Sequence, residues 1–339
     1  MRCVEMEPGA ARLVDRPTPE RPPGWALVRV LACGVCGTDV HMLHGMVMPP
    51  SASYPVRPGH EVAGVVEVVD DDAPVAVGDL VVLHPLAPCG SCGQCAAGQD
   101  QLCASARVLG IHDAGGLAEL VAWPASRMLT VTGVEPALAA VLADAVATAH
   151  HAVELARLPR GGALCVIGSG GVGTQVLQIA RALDPDVRLA AVVRSAASAE
   201  RVRALGVPVV EGLDGAVKEL RSVVGRFDAV VDFSGAAEAP AQAVRMLERG
   251  GRLLIGSVVD EPLDLGPSSM IVTREISVQG VYASRLSDLG AVIDLVRRGR
   301  LDLLGSVTHR LPLDDAVEAI NLVDRRPPGM VRVVVDCSP

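Results

Sequence analysis

At 339 residues, half of them hydrophobic and a fifth charged, the chain is too long for one compact core and too apolar for disorder, so two domains are expected. A net charge of −9 argues against a general nucleic-acid binder, which needs clustered Lys and Arg for the phosphate backbone. There is no uninterrupted apolar run of about 18 residues, and MRCVEMEPGAARL (1–13) lacks a secretory apolar segment, so no membrane span is expected and the expected compartment is the cytoplasm.

The first 150 residues are rich in Pro and Gly, with Val-rich runs between turn signals. ALVRVLA (26–32), HEVAGVVEVV (60–69) and LVVLH (80–84) predict strands of a β-barrel-like domain. Between and around them lie CGVCGTDVH (33–41) and GHE (59–61), which concentrate sulfur and nitrogen ligands beside apolar strands. Next comes CGSCGQCAAGQDQLC (89–103), holding four of the nine cysteines at the spacing Cys-x2-Cys-x2-Cys-x7-Cys. In a reducing compartment such spacing reads as metal binding, and thiols two residues apart suit a tetrahedral zinc better than a mutual disulfide. Cys89, Cys92, Cys95 and Cys103 would fill all four positions and exclude substrate, so this zinc is read as structural. An iron–sulfur cluster or a redox switch is the alternative.

From 163 onward continuous apolar runs alternate with helical patterns: ALCVI, VGTQVLQIARAL, VRLAAVV and AASAERVRALG, then VPVV (207–210), DAVVD (228–232) and RLLIG (252–256). That alternation predicts a doubly wound parallel sheet covered on both faces. GSGGVG (168–173) stands between the first strand and its helix, a G-x-G-x-x-G match carried by Gly168, Gly170 and Gly173, with Gly171 and Val172 between them. In that setting the loop predicts a dinucleotide site, the pyrophosphate resting on the helix N-terminus. A glycine-rich turn without a ligand is the plain alternative. Where an NAD site usually carries an acid at the end of the second strand, the chain has Val193, followed by Arg194 and Ser195. Losing the acid removes repulsion of a 2′-phosphate, and a guanidinium can pair with it, so NADP(H) is preferred over NAD(H). The plain alternative is that Arg194 is a solvated turn residue. The chain closes on the helical SDLGAVIDLVRRG and the strand MVRVVVD.

GHEVAGVVEVV, VGD (77–79), GGLAELV (115–121), GSGGVG and the four-cysteine segment occur in one order and spacing, and with them the chain resembles the zinc-dependent medium-chain alcohol dehydrogenases over nearly its full length. The resemblance implies an α/β protein with a GroES-like β-barrel catalytic domain (1–145 and 283–339, including the zinc lobe 89–103) and a Rossmann domain (146–282). It implies a catalytic zinc on Cys36, His60 and a third ligand from AAVLADAVATAHHAV (139–153). Asp144 aligns where the family often has Cys, and His150 and His151 are nearby alternatives. Glu61 would tune or exchange at the metal, while Cys33 would pack and Asp39 would be a structural partner. Three protein ligands leave one position open, as a catalytic zinc requires, where the metal acts as a Lewis acid toward a hydroxyl or carbonyl oxygen.

By the same resemblance Thr38 would bond the substrate oxygen and His41 would pass its proton to solvent. Arg332 would reach the cofactor phosphates, or else be an exposed strand arginine. His44, His84, His112 and His309 match no motif and read as structural, as Cys3, Cys165 and Cys337 read as packing. Residues 44–54 and 282–286 are expected to line the substrate pocket, in a cleft between the domains. The implied activity is hydride transfer between a primary or secondary alcohol, or its aldehyde or ketone, and a nicotinamide cofactor, with two Zn2+ per chain and a homodimer or homotetramer. A polyol or a biosynthetic intermediate is the alternative substrate. Two rivals differ in kind: a zinc-free quinone or enoyl reductase would lack the GHE ligand and the lobe, and a non-catalytic zinc-binding interaction protein would keep only the scaffold.

Overall fold

The structure, a computed structural model, describes residues 1–259 and 261–338. The chain divides into two compact units, one formed by Met1–Ala147, Ser284–Gly299 and Leu303–Pro339, the other by Thr148–Ala283 and Arg300–Asp302.

In the first unit a long strand, Trp25–Val35, organises a seven-stranded sheet. It pairs antiparallel with Glu61–Val68, Leu120–Pro124 and Val333–Asp336. Alternate residues Ala26, Val28, Val30 and Ala32 are fully buried, the period-two pattern of a strand with one face on the core. With aromatics at 2% of the chain, the core is built mainly from Val, Leu and Ala, and Trp123 is its one fully buried indole, edge-on to Trp25 at 5.7 Å between ring centroids. In this register Gly34 lies directly opposite Glu61. A side chain on Gly34 would overlap the Glu61 carboxylate, with Glu61 Cβ at 2.9 Å, so glycine is what lets this acid turn into the sheet. The sequence pattern does not reveal the hairpin of Arg2–Glu7 with Ala10–Asp15.

The second unit is a six-stranded parallel sheet. Its spatial order is Val209–Glu211, Arg188–Val193, Ala163–Ile167, Phe227–Asp232, Leu247–Ile255 and Ser277–Gly280. The first strand in sequence is central, every residue of Ala163–Ile167 is buried, and the winding reverses beside it. That reversal leaves a crevice at the strands' carboxyl ends, where ligands bind in such sheets, and the glycine loop 168–173 sits there. The edge strand Ser277–Gly280 carries no apolar run and all four of its residues are exposed, so periodicity alone does not reveal it. The helical stretch Pro136–Ala156 is long and apolar enough to cross a membrane, but 78% of its most apolar window is buried inside the protein, as in a core helix.

Candidate metal centre and cofactor loop

Cys36 ends the central strand's run and caps the helix Gly37–Leu43. Its backbone N–H donates to Asp39 Oδ2 at 2.8 Å, while Asp39 Oδ1 accepts from Gly59 N at 3.3 Å and lies 3.9 Å from His60 Nδ1. One fully buried carboxylate therefore ties the cysteine turn to the GHE turn. Gly59 holds φ +101°, and a Cβ there would meet Leu117 N at 2.5 Å and Cys33 Sγ at 2.7 Å, which accounts for glycine before the histidine. Cys33 itself is buried packing.

Asp144 arrives from elsewhere. Between the helices Pro136–Ala140 and Ala147–Ala156 the chain widens into a π-turn, Leu142–Val146, closed by Val146 N donating to Val141 O at 3.2 Å. Such bulges often occur at functional sites because they re-aim one side chain. Here Asp144 is the one residue of the turn that is not fully buried.

Cys36, His60, Glu61 and Asp144 thereby bring one potential ligand atom each within 4.8 Å of one another. Cys36 Sγ stands 3.7 Å and His60 Nε2 3.8 Å from Asp144 Oδ2. Around a tetrahedral zinc with bonds of about 2.0–2.3 Å these separations would be roughly 3.3–3.5 Å, so the group needs only slight contraction to hold an ion. His150 and His151, the alternatives to Asp144, lie outside this group.

The electrostatics favour a cation as well. Glu61 is fully buried, and its Oε2 has no hydrogen-bond partner among the described residues. Burial lifts its pKa to about 7 even though Arg332 pulls it down, and Asp144 adds to the rise. Burial also works against a charged His60, yet Asp144, Cys36 and Asp39 outweigh it and hold its pKa well above the ordinary histidine value. Of the two sequence readings of Arg332, a cofactor-phosphate contact or an exposed strand arginine, the second fails. The residue precedes the strand Val333–Asp336, is 7% exposed, and donates through Nη1 to Glu61 Oε1 at 2.5 Å. Nothing in the sequence signals this pairing. Thr38 is half-buried in the first turn of the helix begun by Cys36, and His41, three residues on and exposed, shares its face.

The four-cysteine segment folds into one cluster with all sulfurs within 4.8 Å. Cys92 and Cys95 are 3.5 Å apart, Cys89 and Cys95 4.0 Å, and Cys89 N donates to Cys103 Sγ at 3.3 Å. Tetrahedral zinc–sulfur bonds of about 2.3 Å place sulfurs about 3.8 Å apart, so this spacing fits a metal and is far too long for a disulfide bond. The backbone N–H of Ser91 and its hydroxyl hold the Cys89 thiol down at about 6, while burial and Cys92 push Cys95 up to about 11.

In the second unit Gly168 leaves the first strand at φ +90°, where a Cβ would sit 2.8 Å from Ser234 backbone atoms. Gly173 begins the helix Gly173–Leu183, packed so closely that a Cβ would overlap Gly168 O. Gly170, by contrast, is exposed and faces open space, with Gly171 and Val172 half-buried beside it. These are the three glycine roles of a dinucleotide loop: tight turn, open approach and close packing. Arg194 and Ser195 are exposed after the second strand, and Ser195 Oγ caps the helix Ala196–Ala204 by accepting from Ser198 N at 3.3 Å. A residue that the sequence does not single out lies further along this helix: Arg201 donates to Ser198 Oγ at 3.0 Å, and its buried Nε has no partner among the described residues.

Comparison with known proteins agrees with this geometry. Residues 22–133 match the alcohol dehydrogenase GroES-like domain and residues 171–298 match the zinc-binding dehydrogenase domain. An NAD-dependent alcohol dehydrogenase of Sulfurisphaera tokodaii is 31% identical, covering 95% of each chain. D-altritol 5-dehydrogenase of Agrobacterium fabrum is also 31% identical, over 91% of this chain and 92% of the relative. A Sinorhizobium meliloti protein described as a zinc-binding dehydrogenase, solved bound to NADP, superposes with a TM-score of 0.89 at 30% identity and 99% coverage of both chains. With the GroES-like barrel, the parallel Rossmann sheet and these relatives in agreement, the chain belongs to the zinc-dependent medium-chain alcohol dehydrogenase family.

Proposed function

We propose that this chain is a zinc-dependent dehydrogenase that moves hydride between an alcohol and a nicotinamide cofactor, NADP(H) in preference to NAD(H). The observation that carries the proposal is the convergence of Cys36, His60 and Asp144, with Glu61 behind them, from three separate stretches of sequence. When bound, zinc supplies a Lewis acid for the substrate oxygen and the nicotinamide accepts or returns the hydride. Cys36, His60 and Asp144 hold the metal and leave one position open, while Asp39 fixes the turns that present two of them. Thr38 bonds the substrate oxygen and takes its proton, which His41 passes toward solvent from the exposed end of the same helix. Arg332 acts first through Glu61, and contact of its guanidinium with cofactor phosphates stays within the proposal.

Residues 1–145 with 283–339 serve as the catalytic domain and 146–282 as the cofactor domain. Gly168, Gly170, Gly171, Val172 and Gly173 cradle the pyrophosphate, and Arg194 and Ser195 receive the 2′-phosphate, with Arg201, bonded to Ser198, in the helix that follows. Cys89, Cys92, Cys95 and Cys103 hold a second, structural zinc. The protein works in the cytoplasm as a homodimer or homotetramer, and the oligomer is supported by the exposed strand Ser277–Gly280, which ends its sheet and, among the described residues, leaves one edge as a template for association. A polyol is the second reading of the substrate, favoured by relatives named D-altritol 5-dehydrogenase and erythritol/L-threitol dehydrogenase. Turnover of a panel of alcohols, polyols and carbonyls with NADP and with NAD, alongside metal analysis, tests the whole proposal. No turnover with any of them and one zinc per chain would instead fit a non-catalytic scaffold.

A further inference from the structure

Beside the four-cysteine cluster runs a buried polar chain that the proposed reaction does not use. His84 follows the strand Leu80–Leu83 and is fully buried. Arg127 Nη2 reaches its Nδ1 at 2.9 Å, and its Nε2 lies 3.0 Å from Ser284 O. A guanidinium only donates, so Nδ1 accepts, and the ring proton sits on Nε2 and points at the Ser284 carbonyl. Burial, aided by the Arg127 charge, pushes the His84 pKa down to about 4 and keeps the ring in this neutral form. Trp123 Nε1 donates to His84 O at 2.8 Å and fixes the backbone.

The other end of the chain enters the cysteine lobe. Arg127 Nη2 donates to Asp100 Oδ2 at 2.7 Å, and its Nε donates to Leu86 O at 2.7 Å. Asp100 opens the turn Asp100–Leu102 that delivers Cys103, and its carbonyl accepts Cys103 N at 3.1 Å. Ser284 is the residue at which the chain re-enters the first unit, after Ala283 at φ +48° and shortly before the helix Leu286–Arg297. Arg127 thus donates both ways, to Asp100 and to His84, and His84 donates on to Ser284, one hydrogen-bonded chain from the lobe to that re-entry point. Only the Asp100 and Arg127 side chains keep some exposure, 16% and 11%.

We propose that Arg127, oriented by His84, holds the Asp100–Cys103 turn closed on the lobe metal and couples metal retention there to the anchoring of Ser284. The proposal rests on reading the lobe as a zinc site. Outer partners that orient metal ligands are commonly worth 10–100-fold in affinity. Because coupling is reciprocal, the metal must steady Ser284 by the same factor by which the Ser284 anchor steadies the metal.

The test uses a Cys36→Ser background, so that the remaining metal is the lobe's. Zinc release to a chromophoric chelator is compared for the background, Arg127→Met, Arg127→Lys and His84→Gln, with hydrogen exchange followed at the Ser284–Asp288 amides. The expected result is release about tenfold faster or more in Arg127→Met, a smaller acceleration in His84→Gln, and faster exchange at Ser284 once zinc is removed from the background protein. Zinc removal should then add little to the exchange of Arg127→Met. If Arg127→Met does not accumulate folded, Arg127→Lys reads the same release, since one ammonium cannot reproduce the three bonds of the guanidinium. Release within about twofold of the background in a folded variant, or Ser284 exchange indifferent to zinc, would overturn the coupling while leaving the zinc lobe intact. A background protein that binds no zinc would overturn the reading of the lobe itself.

Discussion

Arg332 and Glu61 stand 271 residues apart in the sequence and meet at 2.5 Å, Nη1 to Oε1, beside the cluster of Cys36, His60 and Asp144. Both side chains are buried, and Gly34 across the strand pair supplies the space for the carboxylate. Glu61 is therefore held by one buried cation on Oε1, while Oε2 lies against Gly34 without a hydrogen-bond partner among the described residues.

Breaking this pair has a definite expected cost. Arg332→Met leaves Glu61 buried without its cation, which typically destabilises by about 3–5 kcal/mol. Glu61→Gln added to that variant removes the orphaned charge and should restore a large part of the loss. Urea unfolding of the single and double variants measures both steps. Equal destabilisation by Arg332→Met in the unaltered chain and in the Glu61→Gln background would show that the guanidinium contributes packing and not charge.

A second prediction concerns pH. His84 has a folded pKa of about 4, against an ordinary value of 6.5, because burial and Arg127 disfavour its protonated form. Between those values the unfolded chain binds a proton that the folded chain refuses, so stability falls as pH drops from 6.5 toward 4. The difference corresponds to roughly 3 kcal/mol lost across that window, and to none above it. His84→Gln should start less stable near neutral pH and lose less over the same interval. Parallel unfolding curves for the two proteins at each pH would argue against a buried neutral imidazole.

The residues legible in the sequence and those that are not differ in a physical way. The lobe cysteines, the GHE turn and the glycine loop are local motifs, whose few consecutive residues define their own geometry. Asp144 is reachable only through resemblance, because a π-turn aims it and no spacing rule encodes that turn. Arg332 with Glu61, and His84 with Arg127, are pairs made by strand register and tertiary packing, so the resemblance suggests a role for Glu61 and one for Arg332 without linking them, and His84 reads alone as structural. The edge strand Ser277–Gly280 escapes because a strand with exposed residues on both faces has no apolar alternation to show.

Cofactor choice gives a third expectation. Arg194 is exposed after the second strand, and Arg201 is tied to Ser198 in the helix that follows. A charge-assisted bond to a 2′-phosphate is worth about 1.5–3 kcal/mol, so Arg194→Ala should raise KM for NADP by about 10–100-fold with little change for NAD. Arg201→Ala should add to that loss. Equal weakening toward both cofactors would place Arg194 on a general phosphate contact, and no weakening would return it to a solvated turn.

The strongest expectation concerns metal stoichiometry and ligand chemistry. Native protein should carry two zincs per chain, and Cys36→Ser should carry one while losing turnover by several orders of magnitude. The remaining zinc should resist chelators, because four thiolates close its coordination. Cobalt placed selectively in the other centre should show the charge-transfer absorption of a single thiolate, since Asp144 stands where many relatives are expected to place a second cysteine. Asp144→Cys should then roughly double that absorption, and Asp144→Asn should weaken metal retention without altering the thiolate band. A two-thiolate spectrum from the unaltered chain would remove Asp144 from the ligand set and require Cys33, now buried behind Gly59, to turn toward the metal.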